Sequence, residues 1–332
     1  MTQTLDISVI ICTYTEARWD DLIEAVESIR RQTRPPLETI VVVDHNPVLF
    51  ERVRICLPDA VPVENKGSQG VSGARNSGVA VAKTALVAFL DDDAVALPNW
   101  LEQLCAGYGD LNTLGVGGSI QPLWQTKQPT WFPEEFNWVI GSTYKGRPET
   151  TAPVRNVWSG NMSVRRQVFE SIGGFRNGFG KVGTLSCPED TDLCIRALQR
   201  WPQGVWLHKP DARVLHKVPA DRASWRYYSW RCYNEGLGKA RLSRLVGTED
   251  GLTDERRHAL YTLPQGAARG VADMLFRHDP AGARRAGAIL AGLALATAGY
   301  LVGWVQSLCM PITAKLNLED APVRHSTLPK KI

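Results

Sequence analysis

The feature that most constrains the fold is residues 85–93, where the apolar run Ala-Leu-Val-Ala-Phe-Leu leads directly into three aspartates. The run is short and lacks alternation, which is typical of a strand buried on both faces of a parallel sheet. Adjacent carboxylates at the end of such a strand repel one another and lose hydration, so they need nearby positive charge. Asp91, Asp92 and Asp93 therefore predict a cation site, and oxygen ligands suit Mg²⁺ or Mn²⁺. A solvated acidic turn is the alternative.

Length and composition indicate an ordinary globular protein. The 332 residues are 44% hydrophobic and 22% charged, which permits one large or two smaller domains. The first residues lack a basic region, so no secretory signal is predicted. The seven cysteines include no CxxC pair. We therefore expect reduced core cysteines and a cytoplasmic protein, with neither a disulfide framework nor a zinc site.

The first third of the chain alternates strand and helix patterns. Strand-like runs lie at residues 7–12, 39–43, 61–63 and 85–90, with helical patterns at 20–32 and 70–82. This order predicts a parallel sheet with right-handed crossovers. Ligands of such sheets bind at the carboxyl ends of the strands. One site could therefore collect the polar residues that follow the strands: Thr13, Tyr14, Asp44 and the three aspartates.

A second acidic group follows a glycine-rich loop at residues 173–183. Glu189, Asp190 and Asp192 open a predicted helix, and acidic residues at this position also stabilise the positive end of a helix dipole without any catalytic role. Upstream, residues 154–164 predict a strand, a turn and a second strand.

The C-terminal third differs from the rest in charge and hydropathy. Residues 219–332 carry 16 Lys and Arg against 10 Asp and Glu, and residues 286–314 carry no charged side chain. The apolar run contains a Gly299-x-x-x-Gly303 pair suited to close helix packing. We predict an interfacial helix on an anionic membrane surface, with a buried core helix and a single membrane span as the alternatives. A nucleic-acid partner is not predicted.

Together these landmarks resemble the family 2 glycosyltransferases, which have the GT-A fold. The matching segments, in chain order, are residues 8–14 (SVIICTY), 65–78 (a glycine-rich segment ending in Ala-Arg-Asn-x-Gly), 89–93, 189–190 and 214–216 (Val-x-His). The resemblance covers about residues 5–220. It implies an α/β, Rossmann-like, mostly parallel sheet flanked by helices, with a C-terminal helical extension.

The implied domains are a GT-A domain, a helical membrane-associated region and a polar tail. They are expected at residues 1–220, 221–314 and 315–332, with the first divided into a nucleotide-binding half (1–110) and an acceptor half (111–220). Residues 226–236 look like members that glycosylate polyprenyl-phosphate sugars or related lipids.

The resemblance also implies a function: inverting, metal-dependent transfer from a nucleoside diphosphate sugar, expected to be a UDP-sugar. The acceptor would be a lipid-linked or polysaccharide hydroxyl in cell-envelope synthesis, at the inner membrane face. The implied roles are ribose binding by Asp91, sugar orientation by Asp92, metal binding by Asp93 with Asp91 or His216, base catalysis by Asp190, and acceptor binding or orientation of Asp190 by Glu189. Arg75 could bind donor phosphate or brace the acidic cluster, and His216 could be an ordinary core residue. By position, the implied donor-site candidates are Thr13, Tyr14, Glu16 and Asp44, where Tyr14 could stack on the nucleobase or simply pack. Asn161 is expected to line the sugar pocket.

One departure affects the nucleotide preference. The family often has Asp-Asp-Gly-Ser after its second strand, whereas this chain has Asp44-His45-Asn46-Pro47. A sugar nucleotidyltransferase is the alternative enzyme, but it should have a basic glycine-rich loop after the first strand, where Thr13-Tyr14-Thr15-Glu16 stands. An inactive scaffold of the same fold is the non-enzymatic alternative.

Overall fold

The computed structural model describes residues 6–182 and 185–309. The strands are β1 (Ile7–Thr13), β2 (Glu38–Asp44), β3 (Val61–Asn65), β4 (Leu86–Asp91), β5 (Ala94–Ala96), β6 (Thr113–Trp124), β7 (Ala152–Val154), β8 (Asn161–Arg165), β9 (Gly180–Val182), β10 (Leu185–Cys187) and β11 (Val205–Val218). The helices are α1 (Trp19–Arg30), α2 (Pro47–Cys56), α3 (Val71–Val81), α4 (Trp100–Ala106), α5 (Arg166–Ile172), α6 (Glu189–Arg200), α7 (Trp225–Val246), α8 (Thr248–Arg257), α9 (Leu263–Phe276) and α10 (Pro280–Cys309). A π-helical turn, His258–Thr262, joins α8 to α9.

The first half of the chain forms the parallel sheet that the sequence predicts. The strand order β3-β2-β1-β4 is parallel throughout, and Cys12 of β1 pairs with Asp91 of β4. Apolar residues of β1 and β4 are buried on both sides of the sheet, as the absence of alternation indicates. The register places the carboxyl ends of β1 and β4 side by side, so the residues after β1 meet the three aspartates.

The second half continues the same sheet with mixed strand directions. β8 is antiparallel to β4 and β6, β11 is parallel to β6, and the short strands β5 and β7 are antiparallel to β11. Residues 205–218 form one long strand, β11, with a register shift between His208 and Arg213. The expected parallel arrangement therefore holds in the first half only. This continuous strand brings His216 opposite Ala94, next to Asp93.

The C-terminal helices pack closely through glycines. A Cβ on Gly299 would lie 2.0 Å from the backbone oxygen of Tyr233, and one on Gly236 would lie 2.0 Å from that of Ala296. A Cβ on Gly303 would lie 2.9 Å from the Cβ of Ala240. The close packing predicted from Gly299 and Gly303 is confirmed, and its partner is α7.

Two separate glycine-to-alanine substitutions in α10 test this packing. Gly299→Ala is expected to destabilise the protein by about 1–3 kcal/mol, because a methyl group cannot fit against α7 without moving the helices apart. Gly287→Ala, in the same helix with nothing within 4 Å of its added Cβ, is expected to be neutral or stabilising through helix propensity. Urea unfolding measures both variants, and equal effects would contradict this account of the helix pair.

The exposed side of the C-terminal helices is apolar. Within the described residues, one helix segment, Pro280–Gln306, is long and apolar enough to cross a membrane, with a mean hydropathy of 1.8. Only 22% of its most apolar window is buried. Exposed apolar side chains on this side are Leu260, Tyr261, Met274, Leu275, Phe276, Leu290, Leu301, Val305 and Leu308. A fully buried core helix is therefore excluded for the described part of the uncharged run, whereas residues 310–314 and the predicted tail at 315–332 lie outside the described residues.

Candidate active site

A cleft of about 910 Å³ lies at the carboxyl ends of β1 and β4. Its walls come from the β1 and β4 loops, the N-terminus of α6, the end of β11 and the C-terminal helices. The predicted residues that line it are Thr13, Tyr14, Asp44, Arg75, Asp91, Asp92, Asp93, Glu189, Asp190 and His216. The β1–β4 register explains why residues far apart in sequence share one cleft.

Arg75 joins the two acidic motifs. Its guanidinium lies 3.1 Å from Asp91 Oδ1 and 2.6 Å from Glu189 Oε1, and the side chain is almost fully buried. Since both arms of the guanidinium are engaged by carboxylates, the bracing role considered for Arg75 is the one that the structure shows. Arg75 thereby fixes the distance between the ends of β4 and α6.

Asp92 and Asp93 share a cation that the sequence interpretation missed. Arg18 Nη1 lies 2.8 Å from Asp92 Oδ1 and 3.2 Å from Asp93 Oδ2. Burial raises the pKa of Asp92 to about 6, although the charge of Arg18 opposes it. Burial also raises the pKa of Asp93, but contact with His216 and the charge of Arg18 outweigh this and hold the Asp93 pKa well below its usual range.

Asp93 and His216 form a donor pair that fits a divalent cation. His216 Nε2 lies 3.4 Å from Asp93 Oδ1, and both side chains are buried. The second oxygen of Asp92, Oδ2, is also buried and makes no hydrogen bond. One carboxylate and one imidazole suit Mn²⁺, and Mg²⁺-type sites often use one or two carboxylates together with substrate phosphates.

The structure does not bring Asp91 into this pair. Over residues 6–182 and 185–309, no three His, Cys, Asp or Glu side chains converge as a ready-made metal cage. Asp91 Oδ1 instead accepts a hydrogen bond from Arg75, and its Oδ2 lies beside Gly160. Arg75 thus engages one oxygen of Asp91, and a share of Asp91 in the metal site stays a prediction.

Asp190 lies at the first turn of α6, oriented by backbone amides. Its Oδ2 accepts from the backbone N–H of Ser159 at 3.3 Å, and its Oδ1 accepts from that of Thr191 at 2.6 Å. The Ser159 hydroxyl donates to Glu189 Oε1 at 3.1 Å. Burial and the neighbouring Glu189 charge raise the pKa of Asp190 to about 6. A carboxylate with such a pKa can accept a proton near neutral pH and keep its orientation.

The donor candidates after β1 and β2 divide into two groups. Thr13 and the exposed Tyr14 line the cleft. Asp44 also lines it, but Asp44 Oδ2 accepts from the backbone N–H of Gly70 at 2.9 Å, just before α3. Glu16 does not line the cleft: it is exposed and accepts from Asn46 Nδ2 at 3.0 Å. Glu16 therefore supports the loop after β2, and its expected place among the donor-binding residues is corrected.

Asn161 is a structural residue, contrary to the sequence-based expectation. Its side chain is fully buried, and its Oδ1 accepts from Trp100 Nε1 at 2.6 Å. Its Nδ2 donates to the backbone oxygens of Ser119 and Ala212, each at 2.9 Å. Since every polar atom of the amide is used inside the sheet, none is available to a sugar. The preceding residues Trp158 and Gly160 do line the cleft.

Three elements of the site went unnoticed in the sequence. These are Arg18, Ser159 and a buried ionic network of Arg155, Lys239 and Glu255. Arg18 follows β1, so its closeness to the aspartates follows from the strand order. The ionic network has no such signal, because it joins residues up to 100 positions apart.

Comparison with known proteins decides the family. A model of glycosyl transferase family 2 matches residues 8–173. The chain belongs to this family. It is 34% identical to a glucosyl-dolichyl phosphate glucuronosyltransferase of Haloferax volcanii over 240 residues, which is 71% of this chain and 76% of the relative. It is 25% identical to the succinoglycan biosynthesis protein ExoM of Rhizobium meliloti over 294 residues, 85% of this chain and 88% of the relative.

Solved structures confirm the GT-A fold of this family 2 glycosyltransferase. The mannosyltransferase PcManGT of Pyrobaculum calidifontis, in complex with GDP-Man and Mn²⁺, has a TM-score of 0.54 at 20% identity and covers 93% of this chain and 88% of its own. GalNAc-T7 with UDP, GalNAc and Mn²⁺ has a TM-score of 0.52 at 16% identity. The match spans 77% of this chain and 55% of the GalNAc-T7 chain. Membership of this family favours a glycosyltransferase over the alternative enzyme, a sugar nucleotidyltransferase.

Proposed function

We propose that this family 2 glycosyltransferase transfers a sugar, with inversion, from a nucleoside diphosphate sugar to a lipid-linked or polysaccharide hydroxyl. The observation that carries the proposal is that a buried Asp93–His216 pair and an oriented Asp190 line one cleft. UDP is the proposed nucleotide, and the likenesses to a glucuronosyltransferase and an exopolysaccharide protein support the acceptor class.

The donor site is proposed at the carboxyl ends of β1 and β4. Tyr14 is proposed to stack on the nucleobase, Asp91 to bind the ribose and Asp92 to orient the sugar. Asp93 and His216 would hold Mn²⁺ or Mg²⁺, which supplies positive charge to the diphosphate leaving group. Arg18 stabilises the ionised forms of Asp92 and Asp93 and holds the two carboxylates close together before the donor binds.

Asp190 is proposed as the general base. It takes the proton of the acceptor hydroxyl while the hydroxyl oxygen attacks the anomeric carbon, and the bond to the diphosphate breaks on the opposite face of the sugar. Because the hydroxyl attacks from the face opposite the leaving diphosphate, the anomeric configuration is inverted. Glu189, held by Arg75 and Ser159, is proposed to bind the acceptor beside the base. Release of nucleoside diphosphate from UDP-, GDP- and TDP-sugars, with Mn²⁺ and a native lipid extract, tests this function, and no release from any donor would contradict it.

The pH dependence of transfer should reflect the raised pKa of Asp190. The base acts when deprotonated, and its pKa is about 6, so kcat/KM should fall about tenfold per pH unit below pH 6 and level off above it. Measuring kcat/KM with the preferred donor over a pH series gives the apparent pKa of this decrease. Because Asp190 and Glu189 are close together, that pKa belongs to the pair of carboxylates. A profile that stays flat from pH 7 to pH 5 would contradict the base assignment.

The exposed apolar side of α9 and α10 is proposed to lie on an anionic membrane surface. The same helical region carries the exposed arginines Arg256, Arg257, Arg277 and Arg284, and a combination of apolar area and positive charge suits an anionic interface. The cleft shares residues Leu293, Ala296 and Tyr300 with α10, so a lipid-linked acceptor could enter from the membrane side. A cytoplasmic, peripheral location is proposed, with a single span as its alternative.

Vesicle flotation tests this surface. The double variant Leu301→Asp/Val305→Asp is expected to lose at least about 10-fold in binding to phosphatidylglycerol vesicles, since two exposed apolar contacts are replaced by charges. Leu111→Asp, which alters a side chain 88% exposed just before β6, is the matched control and should bind like the wild type. Unchanged flotation of the double variant would contradict the proposed surface.

A further inference from the structure

The charge of the cleft lining differs between its walls. The wall at β1, β2, β4 and α6 carries six carboxylates against two cations, Arg18 and Arg75. Its carboxylates are Asp44, Asp91, Asp92, Asp93, Glu189 and Asp190. The wall built from residues 144–158 with α7 and α8 has more cations than carboxylates. Its cations are Arg147, Arg155, Arg231, Lys239 and Arg256, against Glu235, Asp254 and Glu255. An anionic group would be repelled by the first wall and attracted by the second.

Most of the cations on the basic wall already have partners. Arg155 and Lys239 lie 2.7 and 2.6 Å from the two oxygens of Glu255, and Arg231 lies 3.0 Å from Glu235. Burial raises the pKa of Glu255, but Lys239 and Arg155 outweigh it and lower that pKa to about 2. The three carboxylates of this wall are thus compensated by Arg155, Lys239 and Arg231, which leaves the half-buried Arg147 and the exposed Arg256 without a carboxylate among the described residues.

Arg147 is a half-buried cation without a carboxylate. Within the described residues, no carboxylate oxygen lies within 4 Å of its guanidinium, which stacks over the Trp158 ring at 5.5 Å and donates from Nη2 to the backbone oxygen of Asn156 at 3.1 Å. The ring and the carbonyl fix the plane of the guanidinium. A planar, pre-oriented guanidinium is suited to bidentate binding of phosphate or carboxylate.

Arg147 and the proposed base line the same cleft and are connected through two adjacent residues. Trp158, on which Arg147 stacks, directly precedes Ser159, whose backbone N–H donates to Asp190. We propose that Arg147 binds an anionic group of the acceptor, a phosphate or a carboxylate, and so holds the attacking hydroxyl near Asp190. This inference rests on the proposed function, because it assigns Arg147 to the binding of the acceptor in the same cleft. Arg147 thus selects anionic over neutral acceptors.

Calorimetric titration of small acceptor analogues tests the proposal without turnover. The probes are phenyl phosphate, phenyl β-D-glucuronide and the neutral phenyl β-D-glucoside, added to the full chain in EDTA so that no metal attracts anions to the acidic wall. We expect the wild type to bind at least one anionic probe at least 10-fold more tightly than the glucoside. Arg147→Gln should lose this preference, because a charge-assisted contact contributes about a 10-fold or larger factor. Arg147→Lys should recover part of it.

Arg200→Gln is the matched control. Arg200 also stacks on a tryptophan, Trp201, at 5.6 Å, but it is exposed and does not line the cleft. A preference for phenyl phosphate would indicate a lipid phosphate, and a preference for the glucuronide would indicate an acidic sugar. Equal binding of the neutral probe, or an unchanged preference in Arg147→Gln, would overturn the proposal. Metal-dependent binding of nucleotide sugars by the same variant, measured separately, shows whether the donor site and the proposed function still stand.

Discussion

Asp190→Asn is expected to reduce sugar transfer by about 10²- to 10⁴-fold while leaving donor binding nearly unchanged. The amide cannot take the proton of the acceptor hydroxyl, and general-base catalysis contributes a factor of this size. The side-chain oxygen of the amide can still accept from one of the two backbone N–H groups that now bind Asp190, those of Ser159 and Thr191. The change is isosteric, so the first turn of α6 should keep its position. Nucleoside diphosphate release in the presence of native lipid extract gives the rate, and calorimetry with the donor and Mn²⁺ gives the affinity.

The matched control for this change is Asp211→Asn. Asp211 is 60% exposed and lies 3.6 Å from Arg213, away from the cleft lining. It should transfer sugar at the wild-type rate. Near-normal transfer by Asp190→Asn would remove Asp190 from the role of base, and the acidic limb of the pH profile would then have to come from another group.

Asp93→Ala is expected to raise the Kd of the nucleotide sugar in the presence of Mn²⁺ by at least about 10-fold. Removing even a group that supports a metal ligand commonly costs 10- to 100-fold in metal affinity, and Asp93 is proposed as a ligand itself. Donor binding measured in EDTA should change little, since Tyr14 and Asp91 are untouched. Titration calorimetry with and without Mn²⁺ separates the two contributions.

Asp59→Ala is the control for this variant, because Asp59 is 79% exposed and pairs only with a surface arginine, Arg30. It should retain metal-supported binding. If Asp93→Ala keeps the full difference between Mn²⁺ and EDTA, Asp93 is not the metal ligand. His216 with Asp92, whose Oδ2 makes no hydrogen bond, would then be the pair to examine.

Local patterns predicted the first half of the fold well because its strands are buried on both faces. The unbroken apolar runs that became β1, β2 and β4 carry a strong signal, and the parallel order follows from the intervening helices. The order also placed Asp44 and the three aspartates in one cleft. The extent of β11 was harder to predict, because polar and charged residues, Lys209–Asp211, lie in the middle of this strand.

Pairwise contacts between distant residues could not be predicted. The sequence around Asn161 is the same whether its side chain is buried in the fold or exposed to a sugar. Its structural role depends on a hydrogen bond from Trp100, which lies 61 positions earlier in the chain. Likewise, nothing near Arg75 in sequence indicates that both its arms would be held by Asp91 and Glu189. Charge balance required a cation near the aspartates, but it could not distinguish a metal ion from Arg18.

The central claim, a metal-supported nucleotide-sugar site at Asp93 and His216, is tested most directly by thermal shift. UDP-, GDP- and TDP-sugars are added to the wild type and to Asp93→Ala, each with Mn²⁺ or EDTA, because a ligand that binds the native state raises the apparent Tm. The account predicts that at least one donor, expected to be a UDP-sugar, raises the wild-type Tm strongly with Mn²⁺ and weakly with EDTA, and that Asp93→Ala loses this difference. An equal shift in Mn²⁺ and EDTA, or no shift with any donor, would contradict it.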